Sequence, residues 1–308
     1  MDYQLCGWRV ASNITIPELL PWAGDDQAVD LHIRLGEPPA ALPQPVLATP
    51  FLEIGADGTG LVKVMAGRFL VRGGREIIVQ PNPAADAQDL SVFLLGTSLG
   101  LLLHQRGLFA LHASSVVIGG RTVAMCGPSG IGKSTLAAAL AMRGHELLAD
   151  DICALDLAMG GREIAVLPAL ARVKLWQDSL SWLLPDTAEA MAAAHPGKGP
   201  KMHYRFAQVG PVLRGLKAPS LAAIVRLYEA SDTRPSGCVR MRPFEAASIL
   251  NDQVYRLEHA EAMGRKAALF KDCVRITSKV PVYELAYDRD YAELDAVAHQ
   301  IERLACQD

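Results

Sequence analysis

Several features are missing from this sequence, and each absence closes a class of function. The six cysteines (Cys6, Cys126, Cys153, Cys238, Cys273 and Cys306) show no C-x-x-C spacing and have no His cluster nearby. Neither a zinc site nor a disulfide framework is expected, and the thiols read as buried and reduced. There is no excess of positive charge. A formal net charge of -3 gives no global pull on nucleic acid or anionic membrane, so neither is expected as a partner. The opening Met1-Asp2-Tyr3-Gln4 lacks a basic segment leading into an apolar one, which argues against a secretory signal and for a cytoplasmic protein. No long hydrophobic run is present either: the most apolar stretch, residues 90–103, is short for a membrane span and carries Ser91, Gly96, Ser98 and Gly100. It reads as a buried helix. Internal repeats and low-complexity tracts are absent. With 308 residues, half of them apolar, the chain can bury a substantial core, and two domains are expected, at 1–85 and 86–308.

The most informative feature present is Gly127-Pro128-Ser129-Gly130-Ile131-Gly132-Lys133-Ser134-Thr135, which satisfies the phosphate-binding pattern G-x-x-x-x-G-K-[ST]. Its flanks suit it. Residues 123–126 are a short β-prone apolar run and residues 136–142 are rich in Ala and Leu, so the glycines fall where a strand turns into a helix. Without Cβ atoms the loop can curl its N–H groups around phosphate oxygens, and the helix N-terminus adds partial positive charge. Residues 127 and 129–135 are therefore the candidate nucleotide contacts. Lys133, expected to be exposed, reaches the outer phosphates, and Ser134 is placed to hold Mg²⁺. ATP and Mg²⁺ are the expected ligands.

Upstream of the loop the sequence is broken by Pro and Gly into short β-like pieces such as residues 31–35 and 68–72. A two-residue hairpin loop is expected at Gly73-Gly74 and another turn between Gly55 and Gly60, making a small β-rich N-terminal unit. A helix over 86–105, ending at Gly107, bridges to the second part. There a hairpin turning at Gly119-Gly120 feeds the phosphate loop, and Gly144 closes the loop's helix. Strands follow at 152–155, 164–167, 222–228 and 282–287, with a loop-rich stretch at 185–215 and a final helix at 291–304. The fold class is α/β.

The second motif, Ala149-Asp150-Asp151, ends a short apolar segment. It resembles the carboxylate site of nucleotide hydrolases, but arrives directly after the loop helix, so its strand is expected beside that of the loop. Two adjacent acids on a strand point to opposite sides, which lets one serve the metal and the other a reacting proton.

The stretch 111–151, with His112 before the hairpin, the loop G-P-S-G-I-G-K-S, Arg143-Gly144-His145 and Leu147-Leu148-Ala149-Asp150-Asp151, resembles the HPr kinase/phosphorylase group of bacterial serine kinases. That resemblance implies a P-loop kinase domain of the HPr kinase/phosphoenolpyruvate carboxykinase type. It implies Asp151 as the base that takes a serine proton, His112 as its partner, Lys133 as the phosphate clamp and Ser134 as a magnesium ligand. Apart from the resemblance, Asp150 is expected to serve the metal with Ser134, directly or through water. His145 also reads as a residue that simply favours a helix C-terminus. Where the HPr-acting members carry a metal-binding Glu and a glycine-rich phrase, this chain has Arg172-Val173-Lys174-Leu175-Trp176-Gln177.

Residues 12–19, Ser-Asn-Ile-Thr-Ile-Pro-Glu-Leu, are similar instead to the openings of HPr-kinase-like proteins encoded beside lasso-peptide genes. This implies a precursor peptide as substrate, phosphorylated on a serine near its C-terminus. An HPr-type or small-molecule kinase is the enzyme alternative, and a nucleotide-dependent switch or transport ATPase the non-enzyme one. The subunit number, a homo-oligomer included, stays open. Residues 195–217 hold Lys198, Lys201, Arg205, Arg214 and Lys217 without an acid, among several Gly and Pro. They read either as a solvated basic loop or as a lid in which Lys201 and Arg205 close over triphosphate or peptide carboxylate.

Overall fold

The computed structural model describes residues 1–158, 161, 163–170, 172–188, 201–206 and 218–306, with only the backbone at 201–203 and 205. Nine strands precede residue 82: β1 (Asp2–Leu5), β2 (Trp8–Ser12), β3 (Leu20–Pro21), β4 (Leu31–Leu35), β5 (Leu47–Ala48), β6 (Leu52–Ile54), β7 (Gly60–Val64), β8 (Gly67–Arg72) and β9 (Glu76–Pro81). They form one mixed sheet in the order β3-β1-β2-β4-β9-β8-β7-β6-β5. The turn between Gly55 and Gly60 links β6 to β7 as expected. The Gly73-Gly74 loop is one residue longer than expected, because the ladder pairs Arg72 with Glu76 and leaves Arg75 in the turn.

The apolar run after β9 forms a continuous helical rod. Asp86 caps its start by accepting from Asp89 N, and α1 (Ala87–Phe93) passes through a π-helical turn (Leu94–Ser98) into α2 (Leu99–Gln105). The rod measures 19 residues at mean hydropathy 1.2, long and apolar enough to cross a membrane by those two criteria. In the fold its leucines pack into the core of the nine-stranded sheet, beside Ile54, Phe69 and Ile77. The π turn was not foreseen; such turns insert one residue per turn and re-aim the side chains that follow. At the end of the rod, Gln105 Nε2 donates to Gly58 O and Val71 O, and Arg106 lies over the Trp8 ring, so the rod is clamped to the sheet.

Next come β10 (Phe109–Leu111), β11 (Ala113–Ile118), β12 (Arg121–Cys126), α3 (Lys133–Met142), β13 (Glu146–Ala149), β14 (Cys153–Asp156), β15 (Ala165–Leu167), β16 (Arg172–Trp176), α4 (Gln177–Leu183), β17 (Lys201–Arg205), β18 (Leu221–Glu229) and β19 (Gly237–Arg240). The chain then runs through α5 (Pro243–Asp252), α6 (Leu257–Ala262), α7 (Lys266–Thr277), β20 (Val282–Tyr287), a 3₁₀ turn (Tyr291–Glu293) and α8 (Leu294–Ala305). Gly119 and Gly120, at φ +57° and +82°, close the β11–β12 hairpin as a two-residue turn. The sheet order is β13-β11-β12-β18-β20-β19. The carboxylate strand β13 is thus one strand further from the loop strand β12 than expected, with β11 between them. Within 185–215, expected to be loop-rich, lies β17, which pairs with β16.

Alternation along β12 sorts the two sides of this sheet. Val123 and Met125 face α3 and α8, against Leu136, Leu140 and Ile301. Ala124 and Cys126 face α5 and α7, against Leu250, Leu269 and Cys273. Each fully buried Leu or Ile contributes roughly 1.5–3 kcal/mol, so the phosphate loop is anchored at both ends in a core packed on both faces. All six cysteines are free, and four are buried, but Cys238 is half-buried and Cys306 exposed, which corrects the reading of uniformly buried thiols.

Candidate active site

The loop between β12 and α3 needs its glycines for contact as well as conformation. At Gly127 (φ +137°) an added Cβ would lie 2.8 Å from Leu227 O, and at Gly132 (φ +112°) only 2.4 Å from the Tyr287 hydroxyl. Tyr287 in turn donates to Ile131 O at 2.5 Å, tying β20 to the crest of the loop. Ser129, Gly130, Gly132, Lys133, Ser134 and Thr135 line a cleft of about 460 Å³, within the range of small-ligand sites. Two expectations change. Lys133 is buried rather than exposed, at 8% of its surface, with Nζ 2.8 Å from Gly127 O and 3.2 Å from Pro128 O. Ile131 also borders the cleft, but its side chain belongs to the core, so a nucleotide contact there falls to its backbone. Gly127 lies outside the lining and acts as the bend under the loop.

Asp150 and Asp151 sit at the end of β13 and point apart, as expected, but strand alternation is not the cause. β13 has ended at Ala149, and Asp151 takes φ +73°, which turns the chain out of the six-stranded sheet toward β14. Asp150 is partly buried in the cleft wall. It accepts from Ser114 Oγ (2.5 Å), Ser134 Oγ (2.9 Å) and Lys174 N (2.9 Å), which join β11, α3 and β16 at one carboxylate. Loss of water raises its pKa above the usual carboxylate value, against the pull of those donors, and the Asp151 charge adds to the rise. Asp151 is exposed, with Oδ1 3.2 Å and its backbone O 3.0 Å from His112 Nδ1. Both neighbours only accept, so the proton of a neutral His112 is assigned to Nδ1. Burial first, then the Lys133 charge, lowers the His112 pKa against the opposing pull of Asp151. The ring is therefore neutral at neutral pH.

Around this centre stand residues that no motif announced. Arg172, on β16, pairs with Glu18 at 3.1 Å, and Glu18 also accepts from Ser91 Oγ at 2.9 Å. The N-terminal sheet's edge loop is thereby tied to the strand that carries Lys174. Burial lowers the Arg172 pKa, opposed by Glu18 and then by Asp150 and Asp151, so this guanidinium adds positive charge beside the acids. On the other flank Thr135 Oγ1, Ser179 Oγ and the Tyr291 hydroxyl form a chain of contacts at 3.1 and 3.0 Å, with Tyr291 stacked on Trp182.

His145 is held away from the cleft, paired at 2.8 Å with Glu302 of α8, where Arg143 also binds. It joins the end of α3 to α8 through a carboxylate, rather than acting on the helix C-terminus as its simpler reading has it. The backbones of Lys201 and Arg205 lie on β17, opposite Trp176 and Arg172; their side chains, and most of the basic 195–217 stretch, fall outside the described residues. Among the described residues no cluster of three or more His, Cys, Asp and Glu offers a metal cage.

No protein-family profile matches this chain. No curated protein matches it either. Among solved structures it is similar to the Hpr(Ser) kinase/phosphatase from Coxiella burnetii, at 16% identity and a TM-score of 0.32, over 63% of this chain and 94% of that one.

Proposed function

We propose that this chain is an ATP-dependent kinase that phosphorylates a serine hydroxyl of a peptide, with the C-terminal serine of a lasso-peptide precursor as the favoured acceptor. The observation that carries this reading is the division of labour between the two acids. Asp150 accepts from donors on three elements, whereas Asp151 stands exposed beside a neutral His112 in the same cleft as Lys133. An exposed carboxylate facing a phosphate loop is what a hydroxyl acceptor needs. As the serine oxygen bonds to the γ-phosphorus and the bond to the β–γ bridging oxygen breaks, the hydroxyl proton passes to Asp151 and ADP leaves. His112, donating through Nδ1, keeps the Asp151 carboxylate oriented.

The donor set fits Mg²⁺: Ser134 Oγ and the Asp150 carboxylate are neighbouring oxygen donors on the cleft wall, 2.9 Å apart, of the hard type this ion takes. When bound there, Mg²⁺ supplies neutralisation of phosphate charge. Lys133 leaves its contacts with Gly127 O and Pro128 O to meet the phosphates, and the loop N–H groups hold them in line.

The test is to incubate the purified chain with ATP, Mg²⁺ and serine-containing peptides and read phosphoryl transfer by mass spectrometry. Transfer to peptide serine that disappears in both Lys133→Ala and Asp151→Asn is the expected result. ATP turnover with no phosphorylated peptide overturns the reading in favour of a switch or ATPase. Transfer to free serine or another small alcohol, but to no peptide, makes it a small-molecule kinase.

A further inference from the structure

A segment remote in sequence, residues 253–256, forms part of the surface around Asp151. His112 N donates to Gln253 O at 2.7 Å and Tyr255 N donates to Ala110 O at 2.8 Å, and Leu111 bridges to Val254. These bonds fasten the turn to β10 through a single antiparallel bridge and carry it to the flank of His112. The Tyr255 ring then packs on the His112 ring, with centroids 5.9 Å apart. It is seated there by a glycine of the apolar rod: a Cβ on Gly100 would come within 2.7 Å of the Tyr255 ring.

Arg256 follows with φ +53° and ψ +51°, and its guanidinium lies 5.6 Å from the Tyr255 ring centroid. Left-handed backbone in a non-glycine residue costs energy and collects at functional sites. Four such residues occur among those described, and two of them, Asp151 and Arg256, meet around the His112–Tyr255 pair. The Tyr255 hydroxyl senses both: burial and the Asp151 charge raise its pKa, while Arg256 lowers it. Arg256 is exposed, and among the described residues no carboxylate forms an ion pair with it. It does not line the phosphate-loop cleft, although Asp151 and His112 do. The phosphates already have Lys133 and the loop N–H groups. A cation beyond the base has a different anion to meet.

We propose that Arg256 anchors a carboxylate of the acceptor, fixing the acceptor hydroxyl against Asp151. This rests on the reading of Asp151 as the acceptor's base. The planar guanidinium fork matches a carboxylate through paired charge-assisted hydrogen bonds. In a C-terminal serine the hydroxyl and the carboxylate hang from one Cα, so gripping the second orients the first.

The experiment compares peptides ending in serine with a free carboxylate against their C-terminal amides, with wild type, Arg256→Gly and Arg256→Lys. kcat/KM is measured with ATP and Mg²⁺, and peptide binding is measured in parallel by calorimetry. Arg256→Gly is chosen because glycine adopts the left-handed backbone freely, so the guanidinium is removed without adding backbone strain, and a thermal melt checks the fold. Wild type is expected to favour the free carboxylate roughly ten- to a hundred-fold, the range of a charge-assisted pair. That ratio collapses toward one in Arg256→Gly and falls part of the way in Arg256→Lys. Equal treatment of the two peptides by wild type, or a wild-type ratio in Arg256→Gly, overturns the proposal. If neither peptide is phosphorylated, the kinase reading fails by itself and calorimetry decides the anchor. A carboxylate preference in binding that Arg256→Gly loses then supports it, and equal or absent binding overturns it.

Discussion

The phosphate side of the cleft takes Lys133 and Ser134 from one unbroken run of chain, residues 127–135, bent by glycines and backed by a single strand and helix. The side proposed for the acceptor gathers Asp151 from just past the end of one strand, His112 from between β10 and β11, Tyr255 and Arg256 from a turn after α5, and Arg172 with Glu18 from opposite parts of the molecule. Two ways of building a site follow from this. A phosphate is the same in every nucleotide, so a short local loop of N–H groups suffices to hold it. A second substrate differs from one enzyme to another, and the surface proposed for it here is assembled from loops and edges that can vary without disturbing the phosphate loop.

The comparison breaks most visibly at the two acids. Asp151→Asn is expected to cut phosphoryl transfer by about 10²–10⁴-fold, the usual worth of a general base, with ATP affinity and melting temperature unchanged, because its side chain is 59% exposed. Transfer assays alongside a thermal melt check this. Should Asp150→Asn abolish transfer while Asp151→Asn is nearly silent, the two roles are reversed. On the phosphate side, Lys133→Ala is expected to lower kcat by roughly 10²–10³-fold, as loss of one charge-stabilising donor does. A single-turnover measurement at saturating ATP separates that loss from weaker binding.

Acid distinguishes the two sides in another way. His104 Nε2 lies 2.8 Å from Tyr255 O, and the His104 pKa is lowered to about 4, chiefly by burial, with the nearby charges of Arg265 and His259 also lowering it and the bond to Tyr255 O opposing. His259, near Arg256, is likewise lowered to about 4 by burial and then by the Arg256 charge. Both support the segment that carries Tyr255 and Arg256. A folded pKa below the unfolded value of about 6.5 means that the unfolded chain takes up these protons first. The stabilisation is complete above pH 6.5 and is lost as the pH falls toward 4. Each histidine is expected to contribute about 3 kcal/mol to that loss, read from urea melts across the window, and His104→Gln should flatten the curve. The smallest effect is expected at Ser114→Ala, which removes one of the donors to Asp150. It should cost about 1 kcal/mol and shift the Mg²⁺ concentration needed for half-maximal activity; an unchanged Mg²⁺ titration would detach Ser114 from the metal side.

Much of the architecture is visible in the residues alone. The β11–β12 hairpin follows from a Gly-Gly pair between apolar runs, α3 from an Ala-Leu run between Gly132 and Gly144, and β20 from a short apolar run broken only by Glu284. Other elements leave a weaker trace. α5 to α7 have no side-chain cap; α6 starts from the left-handed Arg256, and the group is held by packing against the sheet and by Arg265 and Arg275, which donate to distant backbone carbonyls. The π turn at Leu94–Ser98 is equally hidden, since Leu, Gly, Thr and Ser there suit an ordinary helix. Arg172 is legible as a departure from the kinase signature, but its partner Glu18 lies 154 residues away.

What the sequence determined by itself was the phosphate loop and the two acids following it. Those features depend on backbone freedom at glycine and on the charge of residues close in the chain, and both are local properties. Only the tertiary structure decided that Lys133 rests against its own loop, that Asp150 accepts from three elements while Asp151 is exposed, and that Tyr255 reaches His112 with Arg256 beside its ring. Those outcomes depend on how much water and which distant donors surround each group. Burial and long-range hydrogen bonding are set by the register of strands and the packing of helices, which no short run of residues encodes.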